Sequence, residues 1–237
     1  MRFEISEKDA LLVVDVQRDF CPGGSLPVPE GDKVVPVLND YIRLFKKVGG
    51  QIYATRDWHP ANHMSFKEQG GPWPPHCIQG SEGAEFHPDL KLPEGTPVIS
   101  KATSLSKDAY SGFEGTRLAE DLKKKGIERV FIGGLATDYC VKSTVLDALK
   151  YGFETILLLD ATLGVDVEPG DSERAIDEMK RNGANTATLS DIPEQPADLN
   201  ETDSLEEIEE DALTRAERKK VARLRTRGPY RKALLEA

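Results

Sequence analysis

The chain has 237 residues, a length that fits one large domain or one domain with an appendage. Acidic residues outnumber basic ones by 41 to 31, and the formal net charge of -10 argues against a general affinity for nucleic acid or anionic membranes. No segment contains the roughly 20 continuous apolar residues of a membrane-spanning helix, so no membrane association is predicted.

The amino-terminal residues and the cysteines both predict a cytoplasmic protein. The first ten residues, MRFEISEKDA, lack the basic and then apolar layout of a signal peptide. The three cysteines are odd in number and widely spaced, which is typical of a reducing compartment and argues against a disulfide framework. Each of Cys21, Cys77 and Cys140 is therefore a candidate free thiol, metal ligand or nucleophile.

Short β-type runs alternate with amphipathic stretches through the first 192 residues. The β-type runs predict six strands at residues 10–16, 51–57, 96–102, 129–135, 153–161 and 185–190. The amphipathic stretches predict helices at residues 33–48, 116–125, 137–151 and 172–182. A glycine stands at each expected helix stop: Gly49, Gly126, Gly152 and Gly183. This alternation predicts an α/β fold, with helices on both faces of a mostly parallel sheet.

The last 45 residues, 193–237, differ from the rest of the chain in composition. They hold 11 acidic and 9 basic residues. All charged residues over 194–211 are acidic, and most charged residues from Arg215 onward are basic. The segment opens like a linker, and Ser204 with Glu207 has the spacing of a capping box, which predicts a helix. We therefore predict a domain over residues 1–192 and a charged extension over 193–237, either solvated or binding a partner.

Ionisable or nucleophilic side chains follow four of the predicted strands. Asp15 and Asp57 end the first two strands, and Lys101 ends the third. The fourth runs into a glycine-rich turn before Thr137 and Cys140. Ligands of parallel sheets bind beyond the carboxyl ends of the strands, so these groups are expected to converge. If Thr137 caps the next helix, Cys140 lies near its positive end, which lowers the pKa of a thiol.

This group of residues suits nucleophilic catalysis by a thiol. Asp15 can take the proton of the Cys140 thiol, and Lys101 can favour the thiolate. The backbone N–H groups of Ala136 and Cys140 can form an oxyanion hole. Two alternatives stay open: a buried Asp–Lys ion pair without a catalytic role, and a cysteine that only packs in its helix.

A second cluster follows the second strand and contains three of the four histidines. The segment RDWHPANHMSF supplies Asp57, His59 and His63, and His76 follows about a dozen residues later. One carboxylate with two or three imidazoles suits zinc, manganese or iron, with positions left open for solvent or substrate. Polar residues that only cap a loop are the alternative. Cys77 is not included among the candidate ligands, because the side chain of a residue directly after a ligating histidine often points away from the metal.

Five motifs occur in one order along the chain: Asp15-Val16-Gln17 with Asp19-Phe20, Asp57-Trp58-His59-Pro60, Trp73-Pro74-Pro75-His76-Cys77, Lys101, and Gly134-Leu135-Ala136-Thr137-Asp138-Tyr139-Cys140-Val141. Together they resemble the nicotinamidase/pyrazinamidase branch of the isochorismatase-like cysteine hydrolases. The resemblance covers about residues 10–192, so the domain over residues 1–192 is expected to be an isochorismatase-like hydrolase domain.

The resemblance implies a three-layer α/β/α fold with six strands in the order 3-2-1-4-5-6. It implies a nicotinamide deamidase of NAD salvage that forms nicotinate and ammonia through a cysteine thioester and also accepts pyrazinamide. The implied triad is Asp15, Lys101 and Cys140, and the implied oxyanion hole is Ala136 with Cys140. A cis peptide bond between Leu135 and Ala136 is implied as well.

The resemblance also implies one divalent metal ion, zinc with iron or manganese as alternatives, that takes the pyridine nitrogen of the substrate. The implied metal ligands are Asp57, His59 and His76, with His63 in some members. The implied substrate contacts are Phe20 and Trp73, which would sandwich the ring, and Leu135.

The chain departs from the family pattern at Arg18, where many relatives have Asn, and in the charged tail. Neither departure touches a triad or metal position. One rival reading is another isochorismatase-like amidohydrolase, or an isochorismatase, with a different small substrate, and the metal content separates it from a nicotinamidase. A second rival is a binding protein that works through its tail. The sequence leaves open whether the chain forms a homo-oligomer.

Overall fold

The computed structural model describes residues 2–193 of the chain. Six parallel strands form one sheet in the order β3-β2-β1-β4-β5-β6, which confirms the predicted class and strand order. The strands are β1 (Asp9–Val14), β2 (Gln51–Asp57), β3 (Val98–Lys101), β4 (Arg129–Leu135), β5 (Glu154–Leu163) and β6 (Asn185–Ala187). The helices are α1 (Val34–Lys47), α2 (Leu118–Lys124), α3 (Lys142–Lys150) and α4 (Asp171–Arg181).

Each face of the sheet has its own hydrophobic core, because successive strand residues point to opposite faces. Leu11 and Val13 of β1 belong to the core that includes the buried side of α1. Leu12 and Val14 belong to the core formed with α2, α3 and α4. Helices therefore cover both faces, as the three-layer prediction requires. Within residues 2–193, no helix has the length and apolar content needed to cross a membrane.

Several predicted element ends are wrong by a few residues. β1 stops at Val14 instead of residue 16, because Asp15 has a left-handed φ of 50° that takes the chain out of the strand. β5 continues to Leu163, two residues beyond its predicted end. The predicted helix over 137–151 consists of two elements, a π turn over Thr137–Val141 and then α3.

The predicted charged extension falls almost entirely on residues 194–237, which lie outside the described part of the chain. Its linker and helix stay predictions, and so does the division of the chain into parts 1–192 and 193–237.

The strand order reverses between β1 and β4, and ligands of such sheets bind at this point beyond the carboxyl ends of the strands. Gly134 brings the two strands close together here. It has a φ of 127°, and a Cβ at this position would lie 2.1 Å from the carbonyl oxygen of Val14. Only glycine fits, and the close approach places Asp15 near the turn that carries Cys140.

Candidate active site

The three predicted catalytic side chains meet beyond the ends of β1, β3 and β4. Lys101 Nζ lies 2.9 Å from Asp15 Oδ2 and 3.3 Å from Cys140 Sγ. The side chains of Asp15 and Lys101 are fully buried, and Cys140 is 6% exposed. An oxygen of Asp15 lies within 4.8 Å of the Cys140 sulfur, and Thr55 Oγ1 donates to Asp15 Oδ1 at 2.6 Å. The structure therefore brings a thiol, a carboxylate and an ammonium group together, the three groups that the predicted triad requires.

Asp57 connects this triad to the histidine cluster. Lys101 Nζ donates to Asp57 Oδ1 at 2.5 Å, whereas Asp57 Oδ2 lies 3.6 Å from His59 Nε2. One carboxylate thus contacts the lysine with one oxygen and approaches the histidine with the other. The sequence predicted Asp57 only as a metal ligand, so its direct contact with Lys101 is an additional finding.

The charges in this buried network set the pKa values of its members. Burial disfavours the charge of Lys101, but the facing carboxylates of Asp15 and Asp57 outweigh it and hold the lysine pKa well above its ordinary value. Burial raises the pKa of Asp15, with Lys101 opposing the shift and Asp57 adding to it. Burial acts in the same direction on Asp57, but Lys101 and His59 outweigh it and lower the pKa of this carboxyl. A raised pKa makes Asp15 the better proton acceptor of the two.

Two expectations about Cys140 are wrong. Burial raises the pKa of its thiol well above the ordinary value, and the attraction of Lys101 does not offset this increase. Thr137 is not the cap of the helix, because Ala136 precedes the π turn and the Thr137 hydroxyl pairs with that of Thr162 at 2.8 Å. A nucleophilic role for Cys140 would therefore need a base that takes the proton of its thiol.

The predicted oxyanion donors lie in the turn between β4 and α3. The peptide bond between Leu135 and Ala136 is cis, as the resemblance implied. Cys140 is the fourth residue of the π turn, and the first N–H groups of a helix have no acceptor within the helix. The structure thus places the backbone at Ala136 and Cys140 beside the thiol, and their role as oxyanion donors stays a prediction.

Three predicted metal ligands lie together in a group suited to a divalent ion. Ligand atoms of Asp57, His59 and His76 all lie within 4.8 Å of one another. His59 is 2% exposed, yet neither of its ring nitrogens has a hydrogen-bond partner, which is costly for a buried polar group. His76 Nδ1 donates to the Pro74 carbonyl at 2.8 Å, so its Nε2 keeps a free lone pair. These residues fit a metal ion.

His63, the fourth predicted ligand, has a different arrangement. Its Nε2 donates to the Lys107 carbonyl at 3.1 Å, and its Nδ1 lies 2.7 Å from the Ser65 hydroxyl. It groups with His59 and Asp108, and the ring centroids of His59 and His63 are 4.3 Å apart. The Ser65 N–H also donates to His63 Nδ1, at 3.3 Å. A ligand role for His63 requires the hydrogen bonding at one of its two ring nitrogens to be replaced, and this role stays a prediction.

An aromatic pocket opens onto both groups. It is lined by the predicted substrate contacts Phe20, Trp73 and Leu135, by Ala136 and Cys140, and by Asp57 and His76 on the metal side. The sequence did not assign Tyr110 and Tyr139, which also line it. The indole N–H of Trp73 donates to the Tyr110 hydroxyl at 3.0 Å, so Tyr110 orients the Trp73 ring. Tyr110 lies in the long segment after β3, where no motif or periodicity marked it.

Comparison with known proteins identifies the family of this site. The model of the isochorismatase domain matches residues 9–191, a range that contains every predicted site residue. The chain belongs to the isochorismatase family. Within this family, it is 42% identical over 206 residues to a nicotinamidase of Escherichia coli, an alignment that covers 78% of this chain and 97% of the relative.

The chain is also similar to proteins of known structure. The pyrazinamidase of Pyrococcus horikoshii, solved in complex with zinc, is 58% identical with a TM-score of 0.74, over 76% of this chain and 99% of that one. PnC1 of L. infantum, solved in complex with nicotinate, is 36% identical with a TM-score of 0.75, over 81% of this chain and 99% of that one.

Proposed function

We propose that this isochorismatase-family chain is a nicotinamidase, which hydrolyses nicotinamide to nicotinate and ammonia. One observation carries the proposal: the Asp15–Lys101–Cys140 group and the Asp57–His59–His76 group both open onto one aromatic pocket. An amide carbon can therefore face a thiol while a ring nitrogen faces the metal ligands. The nicotinamidase and pyrazinamidase relatives support the same substrate class.

The first half of the proposed reaction forms a thioester. Nicotinamide lies between Phe20 and Trp73, with its carboxamide carbon facing Cys140. Asp15 takes the thiol proton, and the sulfur attacks the carbonyl carbon. The N–H groups of Ala136 and Cys140 stabilise the oxyanion. Asp15 then returns the proton to the leaving nitrogen, so that the C–N bond breaks and ammonia departs.

The second half hydrolyses this thioester. Asp15 takes a proton from a water molecule, whose oxygen attacks the acyl carbon. The C–S bond breaks, nicotinate leaves, and the proton returns to the sulfur of Cys140. Lys101 keeps its positive charge throughout, because its pKa lies well above the ordinary value. It therefore stabilises the ionised states of Asp15 and of Cys140.

Asp57, His59 and His76 would hold the divalent metal ion, for which we propose zinc. When bound, it supplies a Lewis-acidic partner for the pyridine nitrogen, which orients the ring. The chain's own contribution is to hold the three ligands and to shape the aromatic pocket around the ring. A role in NAD salvage, a cytoplasmic location, activity on pyrazinamide and a homo-oligomer stay predictions of this proposal.

An end-product assay tests the proposed function. Purified, metal-analysed protein is incubated with nicotinamide, and nicotinate and ammonia are both quantified. We expect the two products in equal amounts. Isochorismate and an aliphatic amide are run beside it, and hydrolysis of either of these with no nicotinate formed from nicotinamide would overturn the proposal in favour of another family member.

Removal of the metal ion is expected to lower kcat/KM for nicotinamide by roughly 10²-fold, because the ring loses its orienting partner. The protein is dialysed against a chelator, its zinc content is measured, and activity is recorded before and after zinc is returned. Zinc is expected to restore activity. Full activity in the metal-free protein would contradict the role assigned to Asp57, His59 and His76.

A further inference from the structure

The segment that follows β1 places two buried polar side chains behind the metal ligands. Gln17 is 0% exposed and Asp19 is 7% exposed. Both belong to the first motif of the chain, but neither is among the residues that line the pocket. The proposed reaction uses only Phe20 from this segment, so the hydrogen bonds of Gln17 and Asp19 call for a separate explanation.

Gln17 pairs with the backbone of Asp57. Its Oε1 accepts from the Asp57 N–H at 2.8 Å, and its Nε2 donates to the Asp57 carbonyl at 2.9 Å and to the Ala84 carbonyl at 2.9 Å. The pairing of β1 with β2 ends at Val14 and Thr55. β1 therefore offers no backbone partner to Asp57 on this side, and the carboxamide of Gln17 pairs with the Asp57 backbone in its place.

The backbone of Asp57 is consequently held from two sides. β3 pairs with it on one side, in register with Lys101, and Gln17 binds it on the other. A fixed backbone limits the directions that the short Asp57 side chain can take. This matters because the two carboxylate oxygens have different neighbours, Lys101 and His59.

Asp19 binds the backbone directly after His76, another of the three metal ligands. Its Oδ2 accepts from the Cys77 N–H at 2.7 Å, and its Oδ1 accepts from the Ser25 N–H at 3.1 Å. Cys77 directly follows His76 and has a left-handed φ of 47°, which is unfavourable for a residue with a side chain. The bond from Asp19 therefore stabilises the backbone conformation next to His76.

Gly83 leaves the space that Asp19 occupies. A Cβ at residue 83 would lie 2.2 Å from Asp19 Oδ2, the oxygen that binds Cys77. The neighbouring Ala84 carbonyl accepts from Gln17. The 3-10 turn Glu82–Ala84 thus contacts both side chains.

We propose that Gln17 and Asp19 are positioning residues of the metal site, which hold the backbones of Asp57 and His76 in the binding arrangement before the ion arrives. The proposal rests on the metal site of the proposed function. Mutation of the hydrogen-bonding partners of metal ligands typically lowers metal affinity by about 10- to 100-fold. We expect an effect of this size here, because two of the three ligands depend on the pair.

Zinc affinity of the metal-free protein tests this proposal without any activity measurement. The zinc dissociation constant is measured by competition with a chromophoric chelator for the native chain, Gln17→Leu, Asp19→Asn and Gly83→Ala. We expect each variant to bind zinc about 10- to 100-fold more weakly. The absorption spectrum of the cobalt-loaded protein is also expected to change, because it reports the geometry of the ligands.

A matched control separates positioning from general stability. Asp9 is also buried and hydrogen-bonded, to Ser6 and Arg129, but it lies at the amino end of β1, away from the site at the carboxyl ends of the strands. Asp9→Asn is expected to lower the unfolding temperature of the metal-free protein while leaving the zinc dissociation constant within twofold. If Gln17→Leu does not fold, Gln17→Met replaces it, because Met is unbranched at Cγ like Gln and lacks both the amide donors and the amide acceptor.

Each outcome decides the proposal. Weakened zinc binding in the Gln17 and Asp19 variants, with unchanged binding in Asp9→Asn, supports it. Zinc dissociation constants within twofold of the native value in both variants would overturn it and leave the metal site intact. A native chain that binds no zinc would overturn the metal site together with this proposal, and the nicotinate assay would then judge the deamidase reaction separately.

Discussion

Replacement of Cys140 with alanine is expected to lower kcat for nicotinamide hydrolysis by about 10⁴-fold or more. The proposed reaction has no other group that can carry the acyl intermediate. Asp15 and Lys101 would still bind each other, but they would have no thiol to activate. The rate of nicotinate formation by the variant, measured at saturating nicotinamide with zinc content matched to the native chain, checks this expectation.

Cys21→Ala is the matched control for this substitution. Cys21 is a buried cysteine as well, and burial together with Asp32 raises the pKa of its thiol to about 11. Within residues 2–193 no lysine contacts its sulfur as Lys101 contacts that of Cys140, so its loss is expected to change kcat by less than about twofold. If Cys140→Ala kept more than a tenth of the native kcat, the nucleophile would have been assigned wrongly.

Replacement of Lys101 with methionine is expected to lower the free energy of unfolding by about 3–5 kcal/mol and to remove measurable turnover. The variant leaves Asp15 and Asp57 facing each other in a buried site without the cation that both contact. Breaking a buried ion pair from one side is costly, because the remaining charges have no compensation. Urea unfolding of the metal-free protein measures the loss.

The loss in Lys101→Met is expected to depend on pH. Burial already raises the pKa of Asp15 in the native chain, and without the lysine this folded-state pKa rises further above the unfolded value. A carboxyl with a higher pKa in the folded chain ionises more readily in the unfolded chain, so the deficit grows as the pH rises above the unfolded pKa and is smallest below it.

Lys8→Met provides the comparison for Lys101→Met. The ion pair of Lys8 with Glu128 is short, at 2.6 Å, but both side chains are about two-thirds exposed. Its removal is expected to leave the urea midpoint nearly unchanged. Equal effects of the two substitutions would contradict the structural importance assigned to the Asp15–Lys101–Asp57 network.

The strands, the helices and the α/β class were predictable from the sequence because their signals are local, whereas the strand order was implied by the family resemblance. Apolar runs such as residues 129–135 coincide with a strand buried on both faces, and the glycines after the helices, such as Gly49, adopt the positive φ that ends a helix. The ends of β1 and of the helix after β4 were not predictable. The left-handed φ of Asp15 and the π turn over Thr137–Val141 are departures from regular backbone geometry, which hydrophobic periodicity does not report.

The candidate site was likewise predictable only where its signals lie in the local sequence. Asp15, Asp57 and Lys101 stand at strand ends, where the topology of a parallel sheet alone predicts convergence. Tyr110 and Asp108 lie in the segment between β3 and α2, and only the folded loop brings them to Trp73 and His59. The raised pKa of Cys140 was not predictable either, because it comes from burial, which outweighs the attraction of Lys101 and which the local sequence does not report.

The most direct test of the proposed mechanism is a rapid-quench time course with zinc-loaded protein and nicotinamide, followed by mass spectrometry of the peptide that contains Cys140. A nicotinoyl group on Cys140, formed from the first turnover onward and removed as substrate is exhausted, is the predicted result. Nicotinate that accumulates while the Cys140 peptide stays unmodified at every time point, or while another residue carries the acyl group, would contradict it.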